Sequence, residues 1–220
     1  MEKYNNITAH SGAEDTAPNS LDYIHLALTC GCDGLEIDIR KNDKGEFILS
    51  HNPTQEDAVK LTQAFFLISE STMYVNCDLK QEGIAAEVYQ LALHAGIEPE
   101  RIMFTGSIRP KEVPSVPGSV IFMNLDEAPF EGVSLKSPIL NLKNVERAAE
   151  LFRSSGAMGM NLNYFSATSE VRKICANHSL AITVWTPGLV CELKNSLGMK
   201  AYSITTRRPL RAIALREKIG

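Results

Sequence analysis

The five cysteines form no C-x-x-C pair, no stretch approaches the ~18 apolar residues that a membrane span needs, there is no G-x-G-x-x-G turn, and positive charge is not in surplus. Each absence excludes something. Without zinc-like spacing, Cys30, Cys32, Cys77, Cys175 and Cys191 read as reduced, partly buried thiols of a cytoplasmic protein. The close pair Cys30 and Cys32 is too little to define a site. A formal net charge of −4 offers no long-range attraction for nucleic acid or an anionic membrane, so neither is expected as a partner. An anionic substrate would have to be attracted locally, by a bound cation or a few basic side chains. The opening Met1–His10 lacks a charged segment followed by an apolar one, so neither a signal peptide nor a stable membrane anchor is expected. No linker, low-complexity tract or sequence repeat divides the 220 residues, which points to one domain over 1–220.

What the chain does contain is an alternation of short β-rich runs and longer amphipathic stretches, with Gly or Pro at many joins. Strands are expected at 7–10, 34–39, 73–79, 101–104, 120–124, 158–163, 181–185 and 202–205. Helices are expected at 21–30, 59–69, 83–95, 142–154, 169–177, 189–197 and 210–218, with a poorly defined piece at 108–112. Asn19-Ser20 is a cap candidate for the first helix and Gly31 a stop. An extra strand, 47–51, returns from the turn at Asp43-Lys44-Gly45. Eight strands alternating with about eight helices predict a single (β/α)8 TIM-type barrel. The rival is an open doubly wound sheet, which would normally carry the missing glycine-rich turn. The prolines 110, 114, 117, 129 and 138 make 108–142 the least regular region.

In such a barrel the chemistry lies at the carboxyl ends of the strands. The second strand reads Leu35-Glu36-Ile37-Asp38-Ile39, which puts Glu36 and Asp38 on one face and the aliphatic residues on the other. Unpaired buried carboxylates are costly, and a bound cation resolves the conflict. The third strand repeats the pattern, with Asn76, Asp78 and Lys80 on one face. Glu36, Asp38 and Asp78 therefore converge as an all-oxygen site suited to Mg²⁺ or Ca²⁺. Lys80 could pair with a carboxylate or bind a substrate phosphate. His10 ends the first strand and His51 the returning one, so two imidazoles flank the cluster as an acid–base couple. His25, His94 and His178 fall in helical stretches and read as structural or exposed.

The order His10-Ser11-Gly12, Asn19-Ser20-Leu21, Glu36-x-Asp38, His51-Asn52 and Asn76-x-Asp78-x-Lys80 resembles the glycerophosphodiester phosphodiesterase family. That family shows H-R-G, P-E-N-T-L, E-x-D, H-D and N-x-E-x-K in this order. Val184-Trp185-Thr186 and Ile204-Thr205-Thr206-Arg207-Arg208-Pro209 resemble its later segments. The resemblance implies a (β/α)8 barrel that hydrolyses glycerophosphodiesters to glycerol 3-phosphate and an alcohol. It implies Glu36, Asp38 and Asp78 as ligands of one divalent cation, His10 and His51 as acid and base, Lys80 as a phosphate contact, and Trp185 as an apolar wall for the glycerol end.

The sequence departs from the family pattern at Ser11 for arginine, Pro18 for glutamate, Asn52 for aspartate, Asp78 for glutamate, Gly188 for asparagine and Arg207 for aspartate. The family's insertion after its second strand is reduced. Arg207, at the end of the last strand, is the candidate to replace part of the positive charge lost at Ser11. Two other classes fit the barrel: a lyase or aldolase using Lys80 as a Schiff base, and a phosphate-binding barrel without catalysis.

Overall fold

The computed structural model describes residues 4–53, 58–133 and 140–219. Its strands are β1 (Asn6–Ala9), β2 (Gly34–Lys41), β3 (Phe47–Leu49), β4 (Tyr74–Leu79), β5 (Ile102–Gly106), β6 (Val120–Asn124), β7 (Gly159–Asn163), β8 (Ala181–Trp185) and β9 (Ser203–Thr206). The helices are α1 (Leu21–Thr29), α2 (Leu61–Ser69), α3 (Ala85–His94), α4 (Leu142–Ser155), α5 (Ser169–Asn177), α6 (Val190–Gly198) and α7 (Pro209–Ile219). All neighbouring pairs are parallel except β2 with β3, and the β1–β2 pairing closes the ring. Leaving out β3, eight parallel strands thus form a closed barrel wrapped by helices, a TIM-type (β/α)8 barrel.

Local chemistry explains the elements. In α1, the Ser20 hydroxyl accepts from Tyr23 N at 3.1 Å, and Gly31 turns the chain away at φ +81°. In α4, Val145, Ala148, Ala149 and Phe152 recur at helical spacing and are buried, and Gly156 ends it at φ 90°. The aliphatic face of β2 is wholly buried: Leu35, Ile37 and Ile39 each have 0% exposure. Burying such side chains contributes about 1.5–3 kcal/mol each.

The barrel lumen carries polar side chains at several levels. Thr8, Tyr74 and Ser203 share hydroxyl hydrogen bonds near its base. Higher up, Thr105 donates to Asn76 Oδ1 at 3.0 Å and Thr183 to Asn161 Oδ1 at 2.7 Å. These pairs satisfy polar groups that would otherwise be costly to bury.

Two expectations need correction. The piece at 108–112 is a short 3₁₀ segment, Pro110–Ser115: Pro110 suits its first position, but Pro114 inside it lacks the N–H that a longer helix needs. Pro138 lies outside the described residues. The returning strand ends at Leu49, so His51 sits in the loop beyond it, where Ser50 Oγ donates to Asn52 O at 2.6 Å and Pro53 follows. No helix among the described residues is long and apolar enough to cross a membrane.

Candidate active site

The register of β2 and β4 aligns Glu36 with Asn76 and Asp38 with Asp78. One oxygen from each of Glu36, Asp38 and Asp78 lies within 4.8 Å of the others. Glu36 is 2% and Asp38 3% exposed. Two buried carboxylates and one half-buried one this close repel one another, and the neighbours compensate only in part. Ser11 N donates to Glu36 Oε2 at 2.9 Å, and Asn19 Nδ2 to Asp38 Oδ2 at 2.8 Å. Lys80 Nζ lies 2.9 Å from Asp38 Oδ1 and 2.8 Å from Asp78 Oδ2. Burial and the two neighbouring aspartates push the Glu36 carboxyl well up. Burial also opposes charge on Asp38, but Lys80 and Asn19 outweigh it and hold that carboxyl below its ordinary value.

Asp78 Oδ1 is buried and, among the described residues, has no hydrogen-bond partner. A partnerless carboxylate oxygen facing two further acids is the donor arrangement that a hard cation satisfies. With all three carboxylates ionised, as cation ligands must be, they and one ammonium sum to −2, which a divalent ion neutralises. Gly106 packs against this corner at φ +75°, and a Cβ there would lie 2.1 Å from Asp78 Oδ1. Only glycine leaves the carboxylate its place.

Asn19 is more than the cap candidate expected from sequence. Ser20 caps the helix, whereas Asn19, at φ 57°, donates to Asp38 Oδ2 and accepts from Asp38 N at 3.1 Å. Ser11 is buried; its hydroxyl accepts from Asn19 N at 2.9 Å, joining the β1 loop to the acidic cluster. Ser11 therefore supplies no charge to the cavity; its contacts are internal.

His10 leaves β1 beside the last strand, its N–H bonded to Thr206 O at 2.9 Å. Its Nδ1 lies 2.9 Å from Ser11 O and 3.4 Å from Arg207 Nε. A carbonyl only accepts and a guanidinium only donates, so both cannot bond one nitrogen at once. The shorter contact favours Nδ1–H donating to Ser11, which leaves Nε2 unprotonated in the neutral ring. Burial, aided by the Arg207 charge, outweighs the Ser11 carbonyl and lowers the His10 pKa. His51 is exposed; its Nδ1 donates to Asn52 Oδ1 at 3.1 Å, since an amide oxygen only accepts. Arg40, on the same face of β2 as Glu36 and Asp38, donates through Nε to His51 O at 3.2 Å.

All eight residues singled out from sequence line one cavity of about 490 Å³ at the carboxyl ends of the strands: His10, Glu36, Asp38, His51, Asp78, Lys80, Trp185 and Arg207. Residues not singled out as site residues complete its wall. Arg40 could have been found from the alternation of β2; Asn76 and Asn161 lie on polar faces already apparent in the sequence. Thr105, Asn124, Asp126 and Glu127 come from β5, β6 and the turn after it, where no periodic signal marks them. Asn161 Nδ2 donates to Asn124 Oδ1 at 2.7 Å, whereas Asn163 is used in a turn, accepting from Phe165 N at 3.1 Å. Burial raises the carboxyls of Asp126 and Glu127. His25 and His94 are exposed on helices, and His178 Nε2 lies 2.5 Å from Glu146 Oε1, none of them lining the cavity.

Lys80 does not have the surroundings of a Schiff-base lysine. Burial alone would lower its pKa, but Asp78 and Asp38 outweigh burial and hold the ammonium above the usual lysine range. A nucleophilic lysine requires the free amine.

Fold and site together describe a TIM-type barrel with a buried acidic cluster and two histidines at its carboxyl-end mouth. This is the fold of glycerophosphodiester phosphodiesterases. The glycerophosphodiester phosphodiesterase of Parabacteroides distasonis superposes with a TM-score of 0.76 at 14% identity, over 99% of each chain. That of Thermotoga maritima gives 0.72 at 14%, over 98% of this chain and all of the other. An Oleispira antarctica phosphodiesterase, solved with its product sn-glycerol-3-phosphate, gives 0.70 at 15%, over 97% of each chain. No family model and no curated protein matches the sequence.

Proposed function

We propose that this protein is a phosphoric diester hydrolase that cleaves a glycerophosphodiester to glycerol 3-phosphate and an alcohol. The observation that carries the reading is the cluster Glu36, Asp38 and Asp78, with its partnerless buried oxygen, opening into the same cavity as His10 and His51. The three carboxylates would hold one Mg²⁺ or Ca²⁺, which when bound polarises nonbridging phosphoryl oxygens and offsets their charge.

His10 is assigned the base. Its Nδ1–H is committed to Ser11 O, so Nε2 takes the proton of the attacking hydroxyl. His51, in solvent at the rim and oriented by Asn52, is assigned the acid that protonates the leaving alkoxide. Arg207 and Arg40 supply positive charge at the cavity wall. Lys80 supports the cluster with two of its three N–H donors, which leaves one donor for a phosphate oxygen. Trp185 forms an apolar wall for the glycerol end. The substrate is a small molecule, which the size of the cavity supports.

The test is a panel of glycerophosphodiesters with different alcohols, assayed with Mg²⁺, with Ca²⁺ and with EDTA. Release of glycerol 3-phosphate should require the cation, and Asp38→Ala should abolish both cation binding and turnover. Full turnover after exhaustive chelation would overturn the metal assignment; no turnover of any diester under any condition would overturn the hydrolase reading.

A further inference from the structure

At the base of the barrel, opposite the cavity, the loop from α1 to β2 brings two thiols together. Cys30 closes α1, its N–H bonded to Leu26 O at 2.9 Å, and Gly31 at φ +81° folds the next residue back beneath it. Cys30 Sγ and Cys32 Sγ lie 3.3 Å apart and share one acceptor, Ala27 O, at 3.5 and 3.3 Å. Cys30 is half-buried and Cys32 buried. The other cysteines have no such neighbour: Cys77 and Cys175 are buried in the core and Cys191 is exposed on α6. We infer that Cys30-Gly31-Cys32 is a redox-active dithiol that closes reversibly to a disulfide by exchange with low-molecular-weight disulfides.

The geometry gives the two sulfurs distinct roles. Cys30, the reachable one, attacks first. When Cys30 is ionised, the single Cys32 S–H turns from Ala27 O to its sulfur; this hydrogen bond draws the Cys30 thiol down to about 7 against the opposing effect of burial and pushes the Cys32 thiol up, so the thiolate available near neutral pH is that of Cys30. Its attack on a disulfide such as oxidised glutathione forms a Cys30–glutathione bond and expels one glutathione thiolate. Once Cys30 is in the mixed disulfide, its hydrogen bond no longer holds the proton on Cys32, which passes that proton to the released glutathione thiolate and attacks the Cys30 sulfur, expelling the second. Two protein thiols are oxidised by two electrons, one glutathione disulfide is reduced to two thiols, and the protein's protons pass to the released thiolates. Closure needs each sulfur to move by less than about 1 Å to reach the ~2.05 Å bond. The space beside Gly31, with no atom within 4 Å of a Cβ position, lets the loop adjust. A ring this small is strained, so the bond should be readily reduced, which makes it a reversible element.

The experiment equilibrates the folded full-length chain with stepped ratios of reduced to oxidised glutathione. Free thiols are then alkylated in denaturant and the peptides mapped by mass. Cys30 and Cys32 should lose alkylation together, in a peptide lighter by two hydrogens, and regain it in excess reduced glutathione. Closure should occur at an oxidised fraction at least ~10-fold lower than adduct formation on Cys191, because the second thiol acts at high effective concentration. Cys32→Ser should trap a glutathione adduct on Cys30, and Cys30→Ser should leave Cys32 unmodified. The inference is overturned if both thiols stay alkylatable at every ratio, if the wild type stops at a Cys30 adduct, or if the urea-unfolded chain closes at the same ratio as the folded one.

Discussion

Lys80 and Arg207 divide the positive charge of the cavity unequally. Lys80 is tied to two carboxylates, whereas Arg207 lies at the cavity wall 3.4 Å from His10 Nδ1. A charged hydrogen bond to a phosphoryl oxygen is worth about 1.5–3 kcal/mol, so Arg207→Ala should lower kcat/KM by roughly 10–100-fold. If Arg207→Ala is silent while Lys80→Ala is crippled, Arg207 is a bystander. His10→Ala and His51→Ala should each lower kcat by roughly 100-fold or more, and His94→Ala should not. The His10 environment also sets a pH dependence. A base with a lowered pKa stays neutral to lower pH, so activity is present above that pKa and lost as pH falls through it. The acid limb of kcat/KM should therefore lie below the ordinary value of 6.5. Removing the Arg207 charge should move that limb upward; an unmoved limb in Arg207→Ala would separate the arginine from the base.

Among the elements, the loop from β1 to α1 does two jobs through consecutive residues. Ser20 caps the helix and Asn19 holds Asp38. Ser20→Ala should cost about 1 kcal/mol of stability and leave cation affinity unchanged. Asn19→Ala should instead weaken Mg²⁺ or Ca²⁺ binding by roughly 10–100-fold, as loss of a group orienting a ligand does. Titration calorimetry beside thermal melts separates the two effects. The end of β5 is equally specific. Gly106→Ala sets a Cβ into Asp78 Oδ1 and the Leu79 backbone at positive φ, and should cost about 2–4 kcal/mol. A melt of that variant indistinguishable from wild type would show that the corner is slack.

For the whole molecule, the cation should act as a fastener of the barrel mouth, because its ligands come from two neighbouring strands, β2 and β4. An ion that binds only the folded chain, present at 100 times its Kd, stabilises it by about 2.7 kcal/mol. The melting temperature should rise with Mg²⁺ or Ca²⁺ and fall back with EDTA, and Asp38→Ala should show neither shift. An unshifted wild-type melt would mean that the acidic cluster does not hold a cation under those conditions.

The period-two pattern of Leu35 to Ile39 determined by itself that Glu36 and Asp38 share a face, and Asn76-x-Asp78 repeats the reasoning on β4. That is local geometry: alternation decides which way a strand residue points, whatever surrounds it. The barrel itself was legible from the order of short apolar runs and amphipathic stretches, because each element carries its own period. Distances between elements carry no such period. The pairing of β1 with β2 on one side and with β9 on the other determined that His10 stands beside both Glu36 and Arg207. The parallel register of β2 and β4 determined that Lys80 bridges Asp38 and Asp78. The loops contributed Asn19, Asn52, Asp126 and Glu127, whose positions follow from turns and long-range packing. Alternation assigns faces, but only the closed sheet brings those faces to one point, since contacts between residues far apart in the chain exist only once the register of every intervening strand is set.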